Sequence, residues 1–309
     1  MFIPKIYAKS SLTREQMDVK CAIGCDGLEI QLLGELIKDR GNGEYVRPEE
    51  VFDLKAFENY PISVVHAPLL LGQGDVVLEV LCDRKDCTLL QSVFEIANYY
   101  GEIQGKKIIV VFHTETFLGK INDIGQAWNN ITQVIGYMLD RYPYTELVIE
   151  NVSPLRGVGK GKELHLSNNF AFDNVVMVNE LRRTLNTDRI GTCLDTCHAM
   201  LAEKYICGLY NMVGDVPAPD LSMGEFFRKN AEYLKLIHLA DAKGSGYGKG
   251  KHGIPFTEET SNRLTNILKM YKGIGLDCPI TLEVEETDFS VCDGYRDTRD
   301  LFNKYYPII

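Results

Sequence analysis

Short apolar runs rich in β-branched residues alternate with longer stretches of helical periodicity from one end of the chain to the other. Runs of this length match buried strands, and the periodic stretches match helices, so the pattern predicts repeated βαβ units. The predicted strands cover residues 3–8, 27–33, 62–67, 107–113, 146–151, 191–195, 235–240 and 280–284.

Helices are predicted between these strands, and two of them are preceded by capping residues, Ser222 and Thr257. Eight nearly continuous apolar strands, each followed by a helix, describe a parallel sheet buried on both faces, and eight strands close into a barrel. The predicted helices cover residues 86–100, 124–141, 174–185, 223–233, 258–271 and 294–305.

The predicted fold class is therefore α/β, a single (β/α)₈ TIM barrel with eight parallel strands. An open doubly wound sheet is the alternative, but it would carry a glycine-rich phosphate turn after an early strand, and the sequence has none there. Two long segments after strands, residues 152–169 and 199–221, are predicted as loops on the active-site face.

Composition is consistent with one domain over residues 1–309, because 45% of the residues are hydrophobic and no Pro/Ser-rich linker interrupts the chain. The formal net charge of −10 argues against a surface that coats nucleic acid. An acidic nuclease with a locally basic groove remains compatible with it.

The chain is predicted to be cytoplasmic. Its N-terminus lacks the apolar middle region of a signal peptide, and the sequence predicts no membrane span and no membrane partner. The nine cysteines are odd in number and lack the dense spacing of a secreted disulfide framework.

Six predicted strands end on, or just beyond, an ionisable residue. A charged group at the end of a buried apolar strand is costly unless it is paired or bound to an ion, so six equivalent positions require a shared reason. The six residues are His66, His113, Glu150, Asp195, His238 and Glu283.

In a barrel these strand ends surround one axis and face one cavity. Carboxylate and imidazole ligands together suit a divalent ion: Zn²⁺, Mn²⁺ or Co²⁺, with Mg²⁺ less favoured by imidazole. The sequence therefore predicts a divalent metal ion at the mouth of the barrel, and leaves the identity and number of ions open.

The same segments resemble the xylose-isomerase-like barrel superfamily, which includes sugar and sugar-phosphate isomerases and epimerases and the endonuclease-four type apurinic nucleases. The resemblance covers nearly the whole chain and depends on the order and spacing of six short motifs. These are VVHAPLLLG around His66, FHTE around His113, IEN at Glu150, CLDTCHA over residues 193–199, HLADAK from His238 and LEVE ending at Glu285.

The resemblance implies roles for individual residues. His66 and His113 match the pair that holds a second metal in the nuclease branch. His198 matches a ligand of a third metal in nucleases and a residue that binds a substrate oxygen in the sugar enzymes. The four residues implied as the shared metal ligands are Glu150, Asp195, His238 and Glu283.

The segment DAKGSGYGKGKHGIPF after the seventh strand separates the two branches. The nuclease branch carries an Asp-x-His pair here, whereas this chain has Gly250 two residues before His252. The ending GIPF resembles the loop that closes over sugars in the epimerase branch. The sequence therefore favours a metal-dependent sugar or sugar-phosphate isomerase or epimerase. The alternative is a zinc-dependent apurinic/apyrimidinic endonuclease that cleaves phosphodiesters, and only this alternative implies a nucleic-acid partner.

In the favoured reaction, a divalent ion polarises a carbonyl while a glutamate removes the neighbouring proton to give an enediolate. Glu150 and Glu283 are the predicted acid/base pair, and His198 is predicted to hydrogen-bond a substrate hydroxyl. Lys243 is a candidate phosphate ligand, although a lysine in such a loop is more often merely solvated. Homo-oligomerisation stays open. The predicted substrate-binding residues are His66, His113, His198, Lys243 and His252.

Overall fold

The computed structural model describes residues 3–32, 48–68, 70–71, 76–77, 84–114, 124–158, 163–167, 169–213, 217–244, 251–275 and 277–309. Eight parallel strands form a closed barrel, which confirms the predicted fold class. The strands are β1 Ile6–Ser10, β2 Gly27–Gln31, β3 Ile62–His66, β4 Ile108–Phe112, β5 Thr145–Glu150, β6 Ile190–Asp195, β7 Leu234–Leu239 and β8 Ile280–Leu282.

Neighbouring strands in the barrel are neighbours along the chain, and β8 closes the barrel against β1. In β1, Tyr7 lies opposite Thr281 of β8 on one side and opposite Gly27 of β2 on the other. The parallel pairing places the carboxyl ends of all the strands at one mouth of the barrel.

The helices pack around the barrel and cover its outer apolar face, as a parallel sheet buried on both sides requires. Between β2 and β3, the described residues 48–61 form only two short 3₁₀ helices, Pro48–Glu50 and Leu54–Phe57. The helices are α1 Arg14–Ile23, α2 Arg84–Gln104, α3 Ile124–Arg141, α4 Asp173–Leu185, α5 Thr196–Val213, α6 Met223–Asn230, α7 Ser261–Gly273 and α8 Asp293–Tyr305.

Both predicted capping residues begin helical segments. The Ser222 hydroxyl accepts the Glu225 backbone N–H at 3.3 Å, at the start of α6. Thr257 and Thr260 form a reciprocal capping box at the 3₁₀ helix that precedes α7. These caps satisfy backbone donors that the first turn of a helix leaves without partners.

The prediction of a loop over residues 199–221 is wrong for most of that segment, because α5 continues to Val213. Residues 205–213 contain no charged side chain, so the polar face that would reveal a helical period is missing from the sequence. The buried side chains Leu201 and Ala202 hold the helix against the molecule. The other predicted loop, 152–169, includes an antiparallel hairpin of Leu155–Val158 with Glu163–Leu166.

The interior of the barrel has two successive layers. The apolar layer consists of six buried residues that pack against one another: Tyr7, Val64, Val111, Val148, Cys193 and Leu236. Side chains two residues apart on a strand point to the same face, so the residues two positions later also face the barrel axis, nearer the mouth. These form the ionisable layer: Lys9, His66, His113, Glu150, Asp195 and His238.

Among the described residues, no helix combines the length and the apolar character needed to cross a membrane.

Candidate metal centre

The structure brings the four predicted metal ligands together at the mouth. One potential ligand atom from each residue lies within 4.8 Å of those from the other three. Only 1% of the surface of Glu150 and of Asp195 is accessible, and His238 is completely buried. The structure therefore brings Glu150, Asp195, His238 and Glu283 together, while their role as metal ligands stays a prediction.

The donors fit a divalent cation. Glu283 Oε2 and His238 Nδ1 lie 2.5 Å apart, yet among the described residues neither atom has a well-directed hydrogen-bond partner. Buried polar atoms of this kind normally have a partner or bind an ion. Three carboxylates and an imidazole also match the ligand preferences of Zn²⁺, Mn²⁺ and Co²⁺.

A second group of potential ligands consists of His66, His113 and Glu150, whose ligand atoms also lie within 4.8 Å of one another. Glu150 Oε2 is 3.2 Å from His66 Nε2 and 3.1 Å from His113 Nε2. The same oxygen lies 3.3 Å from His238 Nδ1. Glu150 is therefore common to both groups and lies between them.

Protonation in the second group suits metal binding. His66 Nδ1 lies 2.7 Å from the Ala67 carbonyl, which can only accept, so Nδ1 carries a proton and Nε2 is the ring atom directed at Glu150 Oε2. Burial and the neighbouring Lys9 lower the pKa of His66, which favours the neutral imidazole. Burial opposes ionisation of Glu150, but His238 and His113 outweigh it and hold the pKa of this carboxyl well below its usual range.

His198 and His252 belong to a third group of potential ligands at the mouth. Their ring centroids are 5.3 Å apart, and Cys197 contributes a sulfur within 4.8 Å of a nitrogen in each ring. His252 lies on the strand Lys251–Ile254, which pairs with Asp241–Lys243. Lys243 is exposed at the end of this hairpin. Gly250, the position where the nuclease pattern has aspartate, lies outside the described residues.

Local hydrogen bonds fix Asp195 and His198. The Asn151 amide donates to the Asp195 carbonyl at 3.1 Å, and the Asp195 N–H donates to Asn151 Oδ1 at 2.8 Å. Asp195 Oδ1 accepts the His198 backbone N–H at 2.8 Å, where α5 begins. His198 Nδ1 lies 2.9 Å from the Asn151 carbonyl, so this nitrogen carries a proton.

Burial opposes a charge on His198, but Asp195 and Glu150 outweigh it and raise the pKa of His198 to about 9. The imidazolium is therefore the stable form near neutral pH when no cation is bound to these carboxylates.

The sequence analysis did not predict two residues at this mouth, Lys9 and Glu29. Glu29 is completely buried, and its Oε2 lies 3.0 Å from His238 Nε2. The Lys9 ammonium forms a short ion pair with Glu283 Oε1 and lies 3.5 Å from Glu29 Oε1. The predicted first strand ended at Ala8, whereas β1 continues to Ser10, and Glu29 lies inside β2 rather than at its end.

A period of two could have found both residues, because Lys9 follows Tyr7 and Glu29 follows Gly27 by two positions on the inward face. Burial opposes the charge on Lys9, but Glu283 and Glu29 outweigh it and raise the pKa of this ammonium. Lys9 is therefore a permanent cation at neutral pH.

Comparison with known proteins gives a family match over most of the barrel. Residues 85–305 match the family model described as xylose isomerase-like TIM barrel. A probable endonuclease 4 from Mycoplasma genitalium is 23% identical over 253 residues, which cover 79% of this chain and 75% of that protein. A probable endonuclease 4 from Malacoplasma penetrans is 28% identical over 192 residues, which cover 61% of this chain and 56% of that protein.

Solved structures of similar fold come from both branches. A D-tagatose 3-epimerase-like protein superposes with a TM-score of 0.62 at 15% identity, covering 98% of this chain and 97% of that one. An AP endonuclease, family 2, from Brucella melitensis gives a TM-score of 0.54 at 12% identity, with 99% of each chain covered. At such low identity these likenesses concern the fold alone.

The closed parallel barrel and the match over residues 85–305 lead to one assignment. The chain belongs to the xylose isomerase-like TIM barrel family, whose members include epimerases, isomerases and endonuclease 4 enzymes.

Proposed function

We propose that the chain is a divalent-metal-dependent phosphodiesterase of the endonuclease-four type, which cleaves DNA at abasic sites. The sugar isomerase or epimerase favoured by the sequence is the second candidate. The observation that carries the proposal is the position of Glu150 between two groups of potential metal ligands, within 3.3 Å of nitrogens from His66, His113 and His238.

A carboxylate shared between two sets of imidazole and carboxylate donors is an arrangement suited to two neighbouring ions. Paired ions of this kind occur in phosphatases, nucleases and polymerases, where together they activate the attacking oxygen and stabilise the leaving one. Relatives support the nuclease proposal as well, because proteins named probable endonuclease 4 align with large parts of this chain.

The roles of the protein groups follow from their contacts. Glu150 and Glu283, both held ionised by neighbouring cationic groups, would hold the ions in place. Glu29 accepts from His238 Nε2, which orients the imidazole and leaves Nδ1 for the ion. His198 donates through Nδ1 to the Asn151 carbonyl, so Nε2 is the ring atom left to contact a substrate oxygen.

The second candidate has its own support. Gly250 stands where the nuclease pattern requires a carboxylate, and the net charge of −10 does not favour a polyanionic substrate. In this reaction Glu150 and Glu283 would transfer a proton next to a sugar carbonyl. Lys251 pairs with Glu285 at 2.8 Å, which leaves the exposed Lys243 as the better candidate for binding a substrate phosphate.

The deciding experiment compares two substrate classes with the same purified protein, loaded in turn with Zn²⁺, Mn²⁺, Co²⁺ or Mg²⁺. One assay uses a DNA duplex with a single abasic site and its intact counterpart. The other uses a panel of ketoses, aldoses and their phosphates. We expect metal-dependent incision at the abasic site, and its loss in Glu150→Gln but not in the apolar-layer control Val148→Ala.

Sugar interconversion without incision would transfer the assignment to the second candidate. Incision that persists in Glu150→Gln would contradict the proposed role of the shared carboxylate, because a contaminating nuclease or another site would then account for the activity.

A further inference from the structure

The side of the mouth around Lys9 of β1 has a further set of potential cation-binding groups, which come from β2, β3 and β7. Glu29, His66 and His238 are almost completely buried, and their ligand atoms lie within 4.8 Å of one another. Glu29 Oε1 has no hydrogen-bond partner of good geometry among the described residues. A buried carboxylate next to two imidazoles, with one oxygen that accepts no hydrogen bond, would attract a divalent ion.

A cationic side chain already lies at this position. Lys9 of β1 is opposite Glu29 of β2 in the strand register, and Glu283 directly follows β8, the other neighbour of β1. The Lys9 ammonium contacts Glu283 Oε1 and lies 3.5 Å from Glu29 Oε1, the oxygen that lacks a better partner. Its side chain is only 14% exposed, so water screens this charge poorly.

We propose that Lys9 is a built-in cation that takes the place of a divalent ion between Glu29 and Glu283. It thereby excludes metal from this side of the mouth and confines it to the side of Glu150 and Asp195. The inference builds on the metal centre assumed in the proposed function, and it assigns a charge-balancing and positioning role to a residue outside the predicted ligand set.

The alternative is that Lys9 only packs the strand end. The two roles give opposite expectations for a neutral replacement. Loss of a structural side chain would leave metal content unchanged or reduce it. Loss of a built-in cation exposes two neighbouring carboxylates to a cation from solution, so the variant should bind an additional ion.

The test uses Lys9→Gln, which keeps hydrogen-bond donors but removes the charge. Lys9→Arg is the charge-conserving control, and Lys9→Gln/Glu29→Gln removes one of the carboxylates that would hold the additional ion. Each full-length protein is stripped with chelator and dialysed against saturating MnCl₂, with Mn²⁺ as the only metal cation. Manganese per chain is then measured by elemental analysis.

We expect one more Mn²⁺ per chain in Lys9→Gln than in the unaltered protein, and the unaltered count in both Lys9→Arg and the double variant. Equal counts in all four proteins, or a lower count in Lys9→Gln, would overturn the inference. An unaltered protein that binds no Mn²⁺ would instead overturn the proposed metal centre, so the two failures are distinguishable.

Lys9→Gln is also examined by thermal unfolding with and without Mn²⁺, in case the charge change impairs folding. Replacement of the ammonium by a divalent ion predicts a larger rise in Tm on adding Mn²⁺ than in the unaltered protein. A variant that Mn²⁺ stabilises no more than the unaltered protein, or that stays unfolded with the ion, would contradict the inference.

Discussion

The apolar layer and the ionisable layer of the barrel interior lie two residues apart along the same strands, yet they have opposite chemistry. Val64, Val148 and Leu236 of the apolar layer are completely buried and pack together without polar partners. His66, Glu150 and His238 of the ionisable layer are buried to the same degree. Burial alone therefore does not distinguish a structural position from a functional one in this barrel.

The difference lies in what each layer needs from its surroundings. Apolar side chains gain free energy simply by leaving water. Carboxylates and imidazoles lose favourable hydration free energy when buried. Interactions with one another, with Lys9 or with bound ions must offset that loss. We expect substitutions in the apolar layer to act on folding and substitutions in the ionisable layer to act on ion binding.

The largest effect is expected for Glu150→Gln. This change removes the charge shared by both ligand groups but keeps the size of the side chain, so metal affinity should fall by at least about 100-fold and turnover should fall with it. Titration with Mn²⁺, followed by the activity assay, measures both. Val148→Ala, two residues earlier on β5, should retain metal affinity, and a comparable loss in both variants would erase the distinction between the layers.

The converse change, Leu236→Ala in the apolar layer, should lower the free energy of unfolding by about 2–5 kcal/mol, because it removes a fully buried side chain and leaves a cavity. Chemical denaturation of the metal-free proteins measures this difference. Metal affinity, measured below the unfolding transition, should stay within a few-fold of the unaltered value. A variant of normal stability would show that this layer contributes little to folding.

A smaller effect is expected for Glu29→Gln, which weakens the hydrogen bond that orients His238 while leaving the four predicted ligands in place. Loss of such an outer partner typically lowers metal affinity by about 10–100-fold. Competition with a chromophoric chelator measures the change. Glu146→Gln is the matched control, since Glu146 pairs with Lys235 at 3.0 Å away from the predicted ligands, and it should behave like the unaltered protein.

The smallest effect concerns pH. In metal-free protein the pKa of His198 is raised to about 9, above its unfolded value of about 6.5. The stabilisation from this imidazolium is fully present below about pH 6.5 and is lost as pH rises through about 9. Unfolding in chelator between pH 6.5 and 10 should therefore show a steeper decline for the unaltered protein than for His198→Gln. Parallel curves would contradict the pairing of His198 with Asp195 and Glu150.

Much of the fold could be predicted from the sequence, because each barrel strand is a short apolar run and a helical pattern follows each of the last six. Strand ends were less accurate: β1 begins at Ile6 and ends at Ser10, whereas the prediction covered residues 3–8. α5 was missed because its second half has no charged face. Strand positions near the mouth are polar, so hydrophobicity marks the strand but not its last residue.

The four predicted ligands could be singled out from the sequence because they share one position near the carboxyl end of a strand, and the structure brings their potential ligand atoms within 4.8 Å of one another. Lys9 and Glu29 were missed because the predicted first strand stopped at Ala8 and Glu29 lies inside β2, so neither stood at a predicted strand end. The contact between Glu29 and His238 joins residues 209 positions apart, and that between Lys9 and Glu283 joins residues 274 apart. Only barrel closure brings them together.

The most direct test of the central claim is anomalous diffraction from crystals grown with Mn²⁺, recorded where manganese scatters anomalously. We expect a peak at about 2.0–2.3 Å from ligand atoms of Glu150, Asp195, His238 and Glu283. A second peak between His66, His113 and Glu150 would support the two-ion proposal. A mouth without any anomalous peak, or manganese bound only elsewhere on the molecule, would contradict the proposed metal centre.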